Sequence, residues 1–243
     1  MITGASRGIG AACARRAAAL GWAVCVNYAS RRDAADALVA RIGADGGRAV
    51  AVQADVGDAR EVVRLFEACD AALGRVTDVI NNAGIVQRAH RVEDIDADEL
   101  ARLLQVNLFG AIIVAREAVR RMSTRRGGTG GVIVNVSSAA ARIGSANDYV
   151  DYAAAKAAID TLTLGLAREV ATEGIRVVGI RPGIIDTEIH ASTGQPGRLE
   201  RLSRAVPIGR AGSADEIAEV AMFLLGPGAS YVTGTTVDVT GGR

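Results

Sequence analysis

Tyr152 and Lys156 stand four positions apart in the run Tyr152-Ala153-Ala154-Ala155-Lys156. On a helix this spacing puts a phenol and an ammonium on one face. A phenol with its ordinary pKa of about 10 is a poor base near neutral pH. A neighbouring ammonium favours the phenolate, so the pair is expected to give and take a proton at an oxygen that alternates between carbonyl and alkoxide. Any surface helix can carry the same spacing idly, so other residues have to support the reading. Ser138 follows an apolar run and could donate a hydrogen bond to a substrate oxygen. Asn107 sits between Val106 and Leu108, where it either ties down a helix bend or orients a water linking Lys156 to solvent. Tyr149 competes for the phenol role but has no lysine four positions on, and is expected to be a pocket wall.

A second cluster lies at the N-terminus, where Gly4, Ser6, Arg7, Gly8, Ile9 and Gly10 form a glycine-rich turn before a helix. Glycines allow tight turning and close approach of a phosphate, and the helix start offers free N–H groups. The spacing is not that of a P-loop, because no GK[ST] follows. Three further strand ends add to this turn. Asn27-Tyr28-Ala29-Ser30-Arg31-Arg32 holds no carboxylate to grip two ribose hydroxyls, whereas Arg7, Ser30 and Arg31 or Arg32 could hold a 2′-phosphate. NADP(H) is therefore expected over NAD(H). Asp55 and Val56 could receive an adenine, and Asn82, Ala83 and Gly84 would let a nucleoside pack on backbone.

The elements that must position these groups alternate along the chain. Helices are expected at 8–20, 32–43, from Asp58, at about 96–122, 149–172 and 214–225, and strands at 22–27, 48–53, 77–80, 132–136, 175–180 and 235–239. Asp58 with Glu61, and Ser213 with Glu216, have capping-box spacing. Alternation of this kind implies a parallel sheet covered on both faces, with ligands at the carboxyl ends of its strands. Met1-Ile2 runs straight into Thr3-Gly4, where a first strand of about five or six residues belongs. That strand is expected to be cut short, whether by truncation, by a wrongly assigned start or by real shortening. Unsatisfied backbone and core volume, and poor stability unless upstream residues are restored, would follow.

Composition bounds the rest. A chain of 243 residues, 49% hydrophobic and 23% charged, supports one core and one domain spanning 1–243. A net charge of +1 gives no general attraction to nucleic acid or an anionic membrane, and no apolar run is long enough to span a bilayer. Three cysteines without a CxxC pair suit a reducing, cytoplasmic setting, and the two distant histidines suggest no metal centre.

In order along the chain, Thr3–Gly10, Asn81–Gly84, Asn107, Ser138, Tyr152 and Lys156 resemble the classical short-chain dehydrogenase/reductase family over essentially all residues. The resemblance implies a Rossmann-type three-layer α/β sandwich with parallel sheet order 3-2-1-4-5-6-7. It further implies a catalytic tetrad of Asn107, Ser138, Tyr152 and Lys156, transfer of the pro-S hydride, and a small carbonyl or alcohol substrate. Lys156 would also meet the nicotinamide ribose, and Pro182, Gly183, Ile185 and Thr187 the nicotinamide and its phosphates. Residues 185–206 would form a lid, with Ile185, Ile189 and His190 in the pocket. A homotetramer would form through helices 96–122 and 149–172 and through the last strand with helix 214–225.

Within the family, motif order and length resemble 3-oxoacyl-carrier-protein reductases. The segment YVDYAAAKAAID resembles a bacterial branch labelled sugar or glucose dehydrogenase-like. Ser138 and Tyr152 are fourteen positions apart, one more than the commonest family spacing, and the extra residue falls in 139–151. Arg125, Arg126 and Arg168 could attract an acidic carrier protein, and Arg142 an anionic substrate. The competing class is a cofactor-binding regulatory or structural protein descended from an enzyme. An intact tetrad weighs against it, because binding alone does not need Tyr152 and Ser138 together.

Overall fold

The computed structural model describes residues 1–188 and 197–243, without the side chain of Arg198. In chain order the main elements are α1 (Gly8–Ala19), β1 (Ala23–Tyr28), α2 (Arg32–Ala44), β2 (Arg48–Gln53), α3 (Ala59–Leu73), β3 (Asp78–Asn81), α4 (Ala97–Leu104) and α5 (Ala111–Met122). There follow β4 (Gly131–Val136), α6 (Ala140–Ile143), α7 (Val150–Val170), β5 (Ile175–Pro182), β6 (Ile185–Asp186), α8 (Arg198–Ser203), β7 (Gly212–Ser213), α9 (Ala214–Leu225) and β8 (Thr236–Val239). All strand pairs are parallel.

β1 pairs with β2, and β3, β4, β5 and β8 pair in that order. Ile2 bridges Val26 on one side and Ile80 on the other, joining the two groups into one sheet. With the N-terminal stub counted first, the order is the expected 3-2-1-4-5-6-7. The stub is better satisfied than its length suggests. Ile2 N–H donates to Cys25 O and Asn27 N–H to Ile2 O, while Thr3 N–H donates to Ile80 O, all at 3.0 Å, and Ile80 N–H donates to Met1 O at 2.9 Å. The backbone of this short segment is thus paired on both edges, contrary to the expectation of unmet partners.

β4 and β5 read as nearly continuous apolar runs because helices cover both of their faces. On one face, alanines of α1 (Ala11, Ala14, Ala18) let α9 approach closely with Ile217 and Leu224. On the other, Leu65 and Phe66 of α3, Val114 and Met122 of α5 and Ala167 of α7 pack on Ile133 and Val177. Two local details sharpen the expectations. The region 96–122 stays helical throughout, but Gln105–Gly110 widens into a π-helical turn between α4 and α5. At α3, Asp58 accepts from Arg60 and Glu61 N–H, but Glu61 turns to Asp55 N–H at 2.7 Å. Asp58 N–H already donates to Asp55 O, so only half of the capping box forms. Ser213 and Glu216 form both halves at α9.

Candidate active site

Two contiguous clefts open at the carboxyl ends of the strands, each about 1070 Å³ including space open to solvent. Ile9, Asn82, Gly84 and Thr187 line both. The first cleft gathers Gly4, Ser6, Arg7, Gly8, Asn27, Tyr28, Ser30, Arg31, Asp55, Val56 and Ala83 from four separate strand ends. No side chain caps the start of α1, which leaves its N–H groups for an anion. Gly4 has φ of 60°, and a Cβ there would lie 2.9 Å from Ala83 Cα. Gly10 is absent from the cleft wall. A Cβ on it would meet Asn82 Nδ2 and Gly4 O, both at 2.7 Å, so this glycine lets the turn close on itself. An uncapped helix start behind a glycine-rich cradle fits a dinucleotide pyrophosphate.

Hydrogen bonds between distant segments build the scaffolding of this cleft. Thr3 Oγ1 accepts the N–H groups of Asn82 and Ala83, both at 2.9 Å, and Asn82 Nδ2 donates back to Thr3 O and Gly4 O. Asn27 accepts from Gly4 N–H and donates to Val52 O and Ala54 O. Its amide therefore holds the glycine turn in place instead of reaching outward. Asp55 accepts from Gly57 N–H and pairs with Arg102 Nη2 at 2.7 Å. Arg102, on α4, also lines the cleft, and no local signal in the sequence marks it.

The second cleft is lined by Ser138, Tyr149, Tyr152, Lys156, Pro182, Gly183 and Ile185, with Val86, Ile184 and Leu202 among its apolar members. Tyr149 is a wall, as expected. Ser137 Oγ donates to Lys156 O at 3.0 Å, and Lys156 Nζ donates to Val136 O at 2.8 Å. Nζ lies 5.7 Å from the centre of the Tyr152 ring. Asn107, in the wide turn, accepts from Ile85 N–H and donates to Ile85 O, both at 2.8 Å. A Cβ on Gly84 would sit 3.4 Å from Asn107 Oδ1 and 3.5 Å from Lys156 Nζ, so these two groups converge behind that glycine.

Burial pushes the Tyr152 phenol up from its ordinary value, and a hydrogen bond to Ser138 partly offsets this. Burial likewise pushes Lys156 down to about 8, with Asp160 acting in the opposite sense. The phenol is thus raised by its own desolvation and lowered only by Ser138, and Lys156 contributes no lowering of the kind expected. Arg142 is not on the cleft wall; it pairs with Asp238 instead of awaiting an anionic substrate. Arg125 pairs with Glu173, and Arg126 and Arg168 are exposed away from both clefts. Ile189 and His190 lie outside the described residues.

Over residues 4–243 the chain matches the family described as enoyl-(acyl carrier protein) reductase. It is 47% identical over 243 residues to the uncharacterized oxidoreductase YgfF of Escherichia coli (strain K12), covering 100% of this chain and 98% of that protein. A 3-ketoacyl-(acyl-carrier-protein) reductase from Brucella melitensis complexed with NADH superposes with a TM-score of 0.91 at 32% identity, covering 100% of this chain and 96% of that one. A short-chain dehydrogenase from Burkholderia cenocepacia J2315 in complex with NADP superposes with a TM-score of 0.90 at 35% identity, covering 99% and 96%.

Proposed function

Because the chain belongs to the classical short-chain dehydrogenase/reductase family, and is an NAD(P)-dependent oxidoreductase that interconverts a carbonyl and an alcohol, we propose that Tyr152 is its acid–base group, with Ser138, Lys156 and Asn107 completing the centre. The observation that carries this reading is the meeting of Tyr152, Ser138 and Lys156 at one cleft wall, next to the glycine cradle. The nicotinamide, when bound, supplies or removes the hydride. Tyr152 gives its proton to the oxygen of the carbonyl being reduced, and Ser138 donates to the same oxygen. Lys156 faces the ribose and the phenol, and Asn107 holds the loop of Gly84 and Ile85 beneath it. A screen following nicotinamide absorbance with diketones, aldehydes, sugars and acyl thioesters tests this; tight cofactor binding without turnover would favour the regulatory alternative.

Arg7, Ser30 and Arg31 hold a ribose 2′-phosphate in this reading, which favours NADP(H) over NAD(H). Fluorescence titration should give tighter binding for NADPH, and Arg31→Ala should weaken NADPH by about tenfold while barely changing NADH. Clearly tighter NADH would sink the preference. The substrate is a small ketone, aldehyde or sugar alcohol. A 3-oxoacyl thioester is the second reading, supported by the name of the Brucella protein. We read 1–243 as one domain with a lid over 185–206, of which 189–196 lie outside the described residues; Ile185, Thr187 and Leu202 on the cleft wall support it. Three buried free cysteines suit a cytoplasmic protein, and a homotetramer is the expected assembly.

A further inference from the structure

Two segments wall the substrate side of the second cleft. The loop after β3 contributes Gly84 and Val86, and the turn between α6 and α7 contributes Ser145, Asp148 and Tyr149. Just outside the cleft the two segments are fastened together. His90 N–H donates to Asp148 O at 3.1 Å, and Arg91 Nη1 donates to Asn147 Oδ1 at 3.1 Å. His90 Nε2 lies 3.3 Å from Asp151 Oδ2, with only 8% and 2% of the two side chains exposed. Among the described residues neither atom has a hydrogen-bond partner, so the two face each other in close approach without an aligned hydrogen bond. The other oxygen of Asp151 accepts the N–H of Tyr152 at 2.8 Å. An acidic residue in a first helical turn often serves only the helix. That role accounts for Asp151 Oδ1 but not for a buried imidazole, brought from a loop sixty residues upstream, that faces Oδ2.

We propose that His90 and Asp151 form a positioning pair that locks the substrate wall of the cleft to the first turn of α7 and so sets the placement of the Tyr152 hydroxyl. This rests on the reading of Tyr152 as the acid–base group. Neither residue lines the cleft, so both act through the backbone they hold.

A double-mutant cycle on the full chain tests the pair, with His90→Ala, Asp151→Ala and their combination, and with His90→Gln and Asp151→Asn as conservative variants. The probe is the β-keto ester ethyl acetoacetate with NADPH and NADH, and hydrogen exchange is followed on the same proteins. His90→Ala and Asp151→Ala should each lower kcat about tenfold and raise KM for the ester, with cofactor affinity changed less than about twofold. The double variant should be no worse than Asp151→Ala alone, because both changes break one unit. His90→Gln and Asp151→Asn should recover most of the loss. In His90→Ala, exchange should quicken about tenfold in 85–91 and 147–152 together, while the glycine turn stays protected. Multiplying effects in the double variant, unchanged kcat and KM in His90→Ala, or loosening of one segment alone would overturn the proposal. If the parent chain does not turn the ester over, that failure belongs to the functional reading, and the exchange measurements decide the pair by themselves.

Discussion

In the proposed reduction Tyr152 starts as a phenol, and in the reverse oxidation as a phenolate. Burial favours the phenol in the protein alone, so the resting state is prepared to donate. Tyr152→Phe keeps the ring and removes the proton. Turnover should fall on the order of 10³-fold, while NADPH affinity, read by fluorescence, should change by less than about twofold. Activity that survives largely intact would remove Tyr152 from the chemistry. Lys156 makes a second test through stability. Its pKa is about 8 in the folded chain against 10.5 when unfolded. Between these values the unfolded chain binds more protons, so the Lys156 contribution to stability increases with pH across about 8 to 10.5 and is flat below. Relative to Lys156→Met, the parent chain should therefore gain up to about 3 kcal/mol between pH 7 and pH 10 in urea unfolding. A difference that does not vary with pH would show that burial does not hold this ammonium down.

At the scale of elements, the glycine turn and the loop after β3 behave as one piece because Thr3 joins them. Its hydroxyl accepts two N–H groups from a fully buried position. Thr3→Val keeps the shape and orphans both donors, which should cost about 2 kcal/mol or more in urea unfolding and weaken cofactor binding. Thr3→Ser should restore most of both, and a neutral Thr3→Val would break the link between turn and loop. Strand positions and the glycine turn were legible in the sequence because both rest on local patterns, β-branched runs between helices and glycines at set spacing. The pair Tyr152 and Lys156 was legible for the same reason. Helical periodicity runs through Gln105–Gly110 without a break, so a helix bend tied down by Asn107 could be read as an alternative but the width of the turn could not. The partners of Thr3, of Asp55 and of Asp151 come from distant segments, and only the assembled sheet brings them together. The shift of Lys156 arises from burial, which spacing alone does not encode.

At the scale of the whole molecule, two groups among the exposed large apolar side chains of the described residues cluster on particular elements. Leu104, Phe109, Ile112 and Leu164 are exposed on α4, the wide turn, α5 and α7, and Ile208, Phe223 and Tyr231 are exposed around α9 and the approach to β8. Exposed apolar groups gathered on particular elements mark association sites more often than isolated ones do. The first set lies on the elements that carry Asn107, Tyr152 and Lys156 on their other faces, so a copy packed there would buttress the reacting centre from behind. Light scattering on the parent chain should therefore give a tetramer. Phe223→Glu should yield dimers that keep most of their activity, because the first face stays paired. Ile112→Glu with Leu164→Glu should break the other contact, loosen the wide turn and lower kcat more than it changes cofactor affinity. If the parent chain is a monomer with full activity, the helices of the centre stand without outside support, and the exposed side chains need another explanation.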